Sequence, residues 1–132
     1  MGRMPTDDYD RNIPLKAVRV HPPGAALVQS HSKYPVNIEL SRNGSKWERD
    51  TVKKFFPQGR IYGNTLEISE TTVETIAEGA TEVSRQLAAL EREARIAEDR
   101  EQELERKRDA EAAADAARYE QLKKLASEVR FD

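Results

Sequence analysis

The chain has 132 residues, enough for one ordinary domain and too few for two independent cores. Charged residues make up 35% and hydrophobic residues 37%, the formal net charge is -2, and no apolar run approaches the ~18 residues of a membrane span. Cysteine is absent, which excludes disulfides, thiolate catalysis and thiolate metal sites, and the near-neutral charge excludes a global pull toward nucleic acid or an anionic membrane.

Apolar side chains concentrate in residues 13–90, while residues 91–124 are dominated by Glu, Arg, Lys, Asp and Ala. The predicted organisation is a disordered arm over residues 1–12, an α+β domain over residues 13–90 and a charged helical extension over residues 91–132. Residues 13–20 read as a strand, with Leu15, Val18 and Val20 as its apolar positions and Pro14 at its start. His21-Pro22-Pro23-Gly24 then breaks the strand, and because proline suits the first turn of a helix, residues 23–31 read as a short helix. Val36, Ile38 and Leu40 alternate on one face of a second strand. Asn43-Gly44 is a hairpin signal, so Lys46-Trp47-Glu48 is expected to return as a third strand. Asp50 is expected to cap a helical turn through Val52, Phe55 and Phe56, ended by Pro57 and Gly59. Residues 60–69 read as a fourth strand, with Ile61, Leu66 and Ile68 as apolar positions and an irregularity at Gly63-Asn64.

Ser69, Thr71 and Thr72 compete as the cap of the last helix, predicted to run unbroken over residues 71–127. Its apolar face, from Val73 and Ile76 through Val83, Leu87 and Leu90 to Ala97, can bury against the sheet and then against a partner helix. Continuing the same steps meets Glu101, Arg108 and Asp115 before apolar residues resume at Leu122, Leu125 and Val129. Weak self-association is therefore expected, confined to residues 87–97 and 122–129. The core is expected to gather Val36, Ile38, Leu40, Ile61, Leu66, Ile68, Val73, Ile76 and Val83.

The order strand, helix, strand, Asn-Gly hairpin, strand, helix, strand, long helix resembles that of HPr, the histidine-containing phosphocarrier family of the sugar phosphotransferase system. The likeness is carried by His21-Pro22-Pro23-Gly24-Ala25-Ala26-Leu27-Val28, by residues 34–40 with Asn43-Gly44, and by Gly63-Asn64-Thr65-Leu66-Glu67-Ile68. The resemblance implies an HPr-like open-faced β-sandwich of β-α-β-β-α-β-α order. It also implies a phosphoryl group accepted on His21 and held at a helix N-terminus by Gly24 and Ala25. Thr51 falls where some family members carry a regulatory serine at the start of the second short helix. The loop lacks the arginine that the family places two residues after the histidine, and neither Pro22 nor Pro23 has an N–H to offer. Arg19 and Arg60 are the cations left to serve a phosphate.

Two functions are thus expected as alternatives: an HPr-like phosphocarrier or regulator, and a non-catalytic adaptor that uses its surface and long helix. No nucleophile-base-acid set, glycine-rich phosphate loop or metal spacing appears, so no independent enzyme activity, cofactor or metal is expected. His31 reads as an ordinary helix-end residue. Trp47, Phe55 and Phe56 with Lys46, Arg49, Lys53, Lys54 and Arg60 make a candidate anionic-partner surface, whereas protein partners are expected and nucleic acid and membrane are not. Cytoplasmic localisation is expected.

Overall fold

Alternation of Val36, Ile38 and Leu40 builds the central strand of the domain, and the neighbours of that strand decide everything else about the sheet. The computed structural model describes residues 9–131. Its elements are β1 (Ala17–His21), α1 (Ala25–Ser30), β2 (Tyr34–Leu40), α2 (Lys46–Phe55), β3 (Gly59–Tyr62), β4 (Thr65–Thr71), α3 (Val73–Glu78) and α4 (Ala80–Glu128). The four strands form one sheet in the order β1-β2-β4-β3, each pair antiparallel. The protein is an α+β chain with a long C-terminal helix.

One face of the sheet is apolar and covered. Tyr34, Val36, Ile38 and Leu40 of β2 join Ile61 of β3 and Leu66 of β4, and Val52, Ile76, Leu87 and Leu90 close over them from α2, α3 and α4. Every expected core residue is present, Ile68, Val73 and Val83 being only partly buried against the cluster. Leu15, Tyr34, Val52 and Phe56 complete it.

The connections differ from expectation at three places. Lys46-Trp47-Glu48 is not a strand but the first turn of α2, because Ser45 opens a capping box: its Oγ accepts from Glu48 N at 3.1 Å while Glu48 Oε1 accepts from Ser45 N at 2.8 Å. Residues 60–69 are not one strand but a hairpin, with Tyr62 opposite Thr65 and Gly63 supplying a φ of 55° at the turn. The expected unbroken last helix is interrupted at Gly79, and Thr72 caps the first piece by accepting from Thr75 N. The order is therefore β-α-β-α-β-β-α-α rather than β-α-β-β-α-β-α.

Strand β1 begins later than expected, since Leu15 N and Lys16 N bond to Glu91 Oε2 and Ser41 Oγ instead of to a neighbouring strand. Of the expected arm, residues 1–8 lie outside the described residues. Residues 9–12 are held: Ile13 N donates to Asp10 O at 3.1 Å, and Arg95 donates to Arg11 O at 2.8 Å. The described residues up to Ile96 make one compact unit and those from Ala97 a second. Leu87 and Leu90 are fully buried and Ala94 is 2% exposed, so the face expected to meet a partner helix is spent on the domain's own core. From residue 102 to residue 131 every residue is exposed.

Candidate functional site

The second face of the sheet is polar, and among the described residues no helix layer covers it. Strand register sets two rows across it: His21, Asn37, Glu67 and Arg60 stand side by side, and Arg19, Glu39, Thr65 and Tyr62 form the next row. His21 Nε2 lies 3.0 Å from Glu39 Oε1, and Arg19 Nε lies 3.7 Å from the same oxygen. At the opposite edge Arg60 Nε donates to Glu67 Oε1 at 2.7 Å, and its guanidinium stands 5.2 Å from the centre of the Tyr62 ring. Between them Asn37 Oδ1 is shielded and accepts no hydrogen bond among the described residues.

The hydrogen bond from His21 holds the Glu39 carboxyl below its ordinary value, slight burial opposing this and Arg19 adding to it. In the neutral tautomer that donates Nε2–H to the carboxylate, Nδ1 carries the lone pair and is the nucleophilic atom of the ring. His21 is thus oriented by the sheet. Gly24 is the N-cap of α1 and Ala25 its first residue, and no side chain caps that helix. Arg60 lies three strands from His21, about 14 Å at the usual strand spacing, and is paired with Glu67, so it does not serve the histidine. Arg19 remains beside it through their shared partner Glu39.

The other candidate residues fall elsewhere. Thr51 stands half-buried within α2 rather than at its start, because Ser45 and not Asp50 provides the cap. A phosphate there would find no free helix N–H groups. His31 is the exposed C-cap of α1, its Nδ1 2.8 Å from Ser30 Oγ. Phe56 is buried in the core, and Trp47 and Phe55, each half-buried, are what remains of the aromatic patch. Lys54 is paired with Glu93 and Lys53 reaches Gly59 O at 3.3 Å, which draws both cations toward the domain itself.

Sequence reasoning missed Arg42. Its side chain is 3% exposed, and all five donor positions are used: Nε to Ile13 O at 2.6 Å, Nη1 to Asn43 O at 2.9 Å and Glu48 Oε1 at 2.7 Å, Nη2 to Glu48 Oε2 at 2.7 Å and Glu91 Oε2 at 3.0 Å. Burial works against the charge, but the hydrogen bonds and charges of Glu48 and then Glu91 outweigh it and hold the guanidinium above its ordinary value. This is a structural tie between the N-terminal segment, α2 and α4, not a reactive site. The signal available in sequence was Ser45-x-x-Glu48, which names the helix but not its buried cation.

In the second unit, α4 presents Leu104 at 53%, Tyr119 at 62%, Leu122 at 50% and Leu125 at 60% exposure. Charge pairs at helical spacing support it, Arg106 with Glu103 at 2.5 Å and Lys123 with Glu120 at 3.8 Å. Comparison with protein-family models, with curated proteins and with solved structures found no match. Among the described residues no cluster of His, Cys, Asp and Glu could hold a metal ion, and no helix is long and apolar enough to cross a membrane.

Proposed function

We propose that this chain is a non-catalytic adaptor, a small α+β domain that acts by presenting a long exposed helix to a protein partner. The observation that carries this reading is the run of large apolar side chains left exposed on α4 among neighbours that are charged, amide or small. Pairs of the Arg106–Glu103 kind add only about 0.2–0.5 kcal/mol each, and isolated helices in water are marginal, so a helix of this length gains most from a partner that covers one face. Placing a photo-crosslinking residue at Leu122, and at Ala113 on the opposite side of the helix, tests the reading in cells that express the full chain. Cross-links to protein from Leu122 and not from Ala113 are expected. Silence at Leu122 would overturn it.

A second reading, an HPr-like phosphocarrier using His21, is favoured by the His21–Glu39 contact, which prepares Nδ1 as a nucleophile. Weighing against it are the two prolines that offer no N–H and, among the described residues, a single cation sharing its partner Glu39, Arg19. Incubation with phosphoenolpyruvate and a general phosphotransferase, then mass measurement before and after acid, decides it. An acid-labile phosphate lost in His21→Ala and kept in His31→Ala is the expected signature, and an unlabelled wild type with a folded domain removes this reading.

A further inference from the structure

Residues 97–126 of α4 carry a regular pattern of apolar and charged positions. At 3.6 residues per turn, Ala97, Glu101, Leu104, Arg108, Asp115, Tyr119, Leu122 and Ala126 fall within an arc of about 60°, one narrow stripe about 45 Å long. Glu101, Arg108 and Asp115 interrupt its apolar character. Among the described residues neither Arg108 nor Asp115 forms an ion pair within the chain, although Arg106, Glu103, Lys123 and Glu120 outside the stripe do.

The interruption becomes a code when two such stripes run in opposite directions. A two-fold axis between Glu111 and Ala112 carries each position of the stripe onto another: Ala97 meets Ala126, Leu104 meets Tyr119, and Arg108 meets Asp115. Small then packs on small, large apolar on large apolar, and each unpaired charge on its opposite, twice over by symmetry. Glu101 falls opposite Leu122 and is the one mismatched layer. A parallel, in-register pair would instead stack Arg108 on Arg108 and Asp115 on Asp115, which is repulsive at both levels.

We propose that α4 pairs antiparallel with α4 of a second copy of this chain over residues 97–126, its register and direction set by Arg108 against Asp115. This rests on the adaptor reading and names a second copy as the first partner of the helix. The seam at residues 87–94 does not set the register, since Leu87, Leu90 and Ala94 are buried in the domain. The charges in the middle do.

Charge exchange tests the proposal on the full chain by sedimentation equilibrium at low salt and about 0.1 mM, with helix content checked by circular dichroism. Arg108→Asp and Asp115→Arg should each weaken the dimer about tenfold or more, because each sets like charges against each other at two places. The double variant should recover to within about threefold of wild type, and an equimolar mixture of the two single variants should form a heterodimer. For direction, the chain has Cys 0, so introduced thiols are the only ones. Leu104→Cys mixed with Tyr119→Cys should form a disulfide-linked pair under mild oxidation, and Leu104→Cys alone should not. A monomeric wild type, single variants that dimerise unchanged, a double variant that fails to recover, or self-linking of Leu104→Cys alone would each overturn the antiparallel pair. A monomeric wild type whose Leu122 still cross-links to a different protein overturns the pair and leaves the adaptor standing, whereas silence in both assays overturns both.

Discussion

Arg42→Ala removes the side chain that joins three parts of the domain, and the size of the effect follows from what it leaves behind. Glu48 is 2% exposed, and its two oxygens lie 2.7 Å from Nη1 and Nη2, so loss of the guanidinium strands a carboxylate in a site that water barely reaches. Ile13 O and Asn43 O lose donors as well. Breaking a buried pair by removing one partner costs about 3–5 kcal/mol, a large part of the about 5–15 kcal/mol that holds an ordinary domain. Glu91 softens this little, because it keeps Leu15 N as a donor and Arg95 at 3.7 Å. Urea unfolding followed by Trp47 fluorescence gives the measurement, with unchanged slope as the check that only stability moved. Arg42→Lys should fall between, since it keeps the charge but cannot make the fork to Glu48. Arg42→Met with Glu48→Gln should recover part of the loss, because no charge is then stranded at residue 48 and the amide oxygen still accepts from Ser45 N. A loss under about 1 kcal/mol in Arg42→Ala, or a double variant worse than the single one, would refute the account.

Three further outcomes are expected. Ile38→Ala, at a residue 1% exposed, should cost about 2–5 kcal/mol in the same urea assay, and Ile68→Ala less, because Ile68 is only partly buried. Carboxyl NMR should find Glu39 titrating below the ordinary glutamate range and moving up in His21→Ala; with its folded value depressed, the contribution of the pair is present above the unfolded value and is lost as pH falls through the folded one. Gly44→Ala should destabilise by about 1–3 kcal/mol through crowding, since the added Cβ would stand 2.5 Å from Ile61 Cγ2, while Gly63→Ala, with nothing within 4 Å, should cost about 1 kcal/mol through its φ alone.

The α+β class, the core and the long helix were legible because they depend on periodicity, which sequence displays directly. Val36, Ile38 and Leu40 alternate, and Ile76, Val83, Leu87 and Leu90 recur at helical steps, so their burial follows whatever the topology. The connections were not legible in the same way, because a glycine reads identically whether it turns the chain or merely makes room. Asn43-Gly44 looked like a hairpin, yet Gly44 is there because Ile61 presses against it, and the hairpin belongs to Gly63-Asn64 twenty residues on. The candidate site was half legible. His21 stood out by residue type, but its partner Glu39 depends on which strand lies next to β1, a matter of pairing and not of local sequence. Thr51 was misplaced for the same kind of reason, since moving the cap from Asp50 to Ser45 changes which residues are first in the helix.

The capping box at Ser45 has consequences well beyond one helix terminus. Had residues 46–48 returned as a strand, β2 would have been flanked by its own hairpin; with α2 in their place, β4 takes that side of β2 and β1 the other. Glu39 is thereby set on a central strand beside His21 on an edge strand, both on the uncovered face. Glu48 meanwhile serves α2 as its N3 carboxylate and Arg42 as its counter-ion on the covered side. The domain thus keeps two sets of charges apart. Those that hold it together are buried and use every donor they have, while those on the open face are half-exposed, weakly committed and exchangeable. Substituting His21, Glu39 or Arg60 alters surface chemistry and leaves the internal ties intact, so a loss of activity in such a variant is attributable to the face itself and not to the fold beneath it.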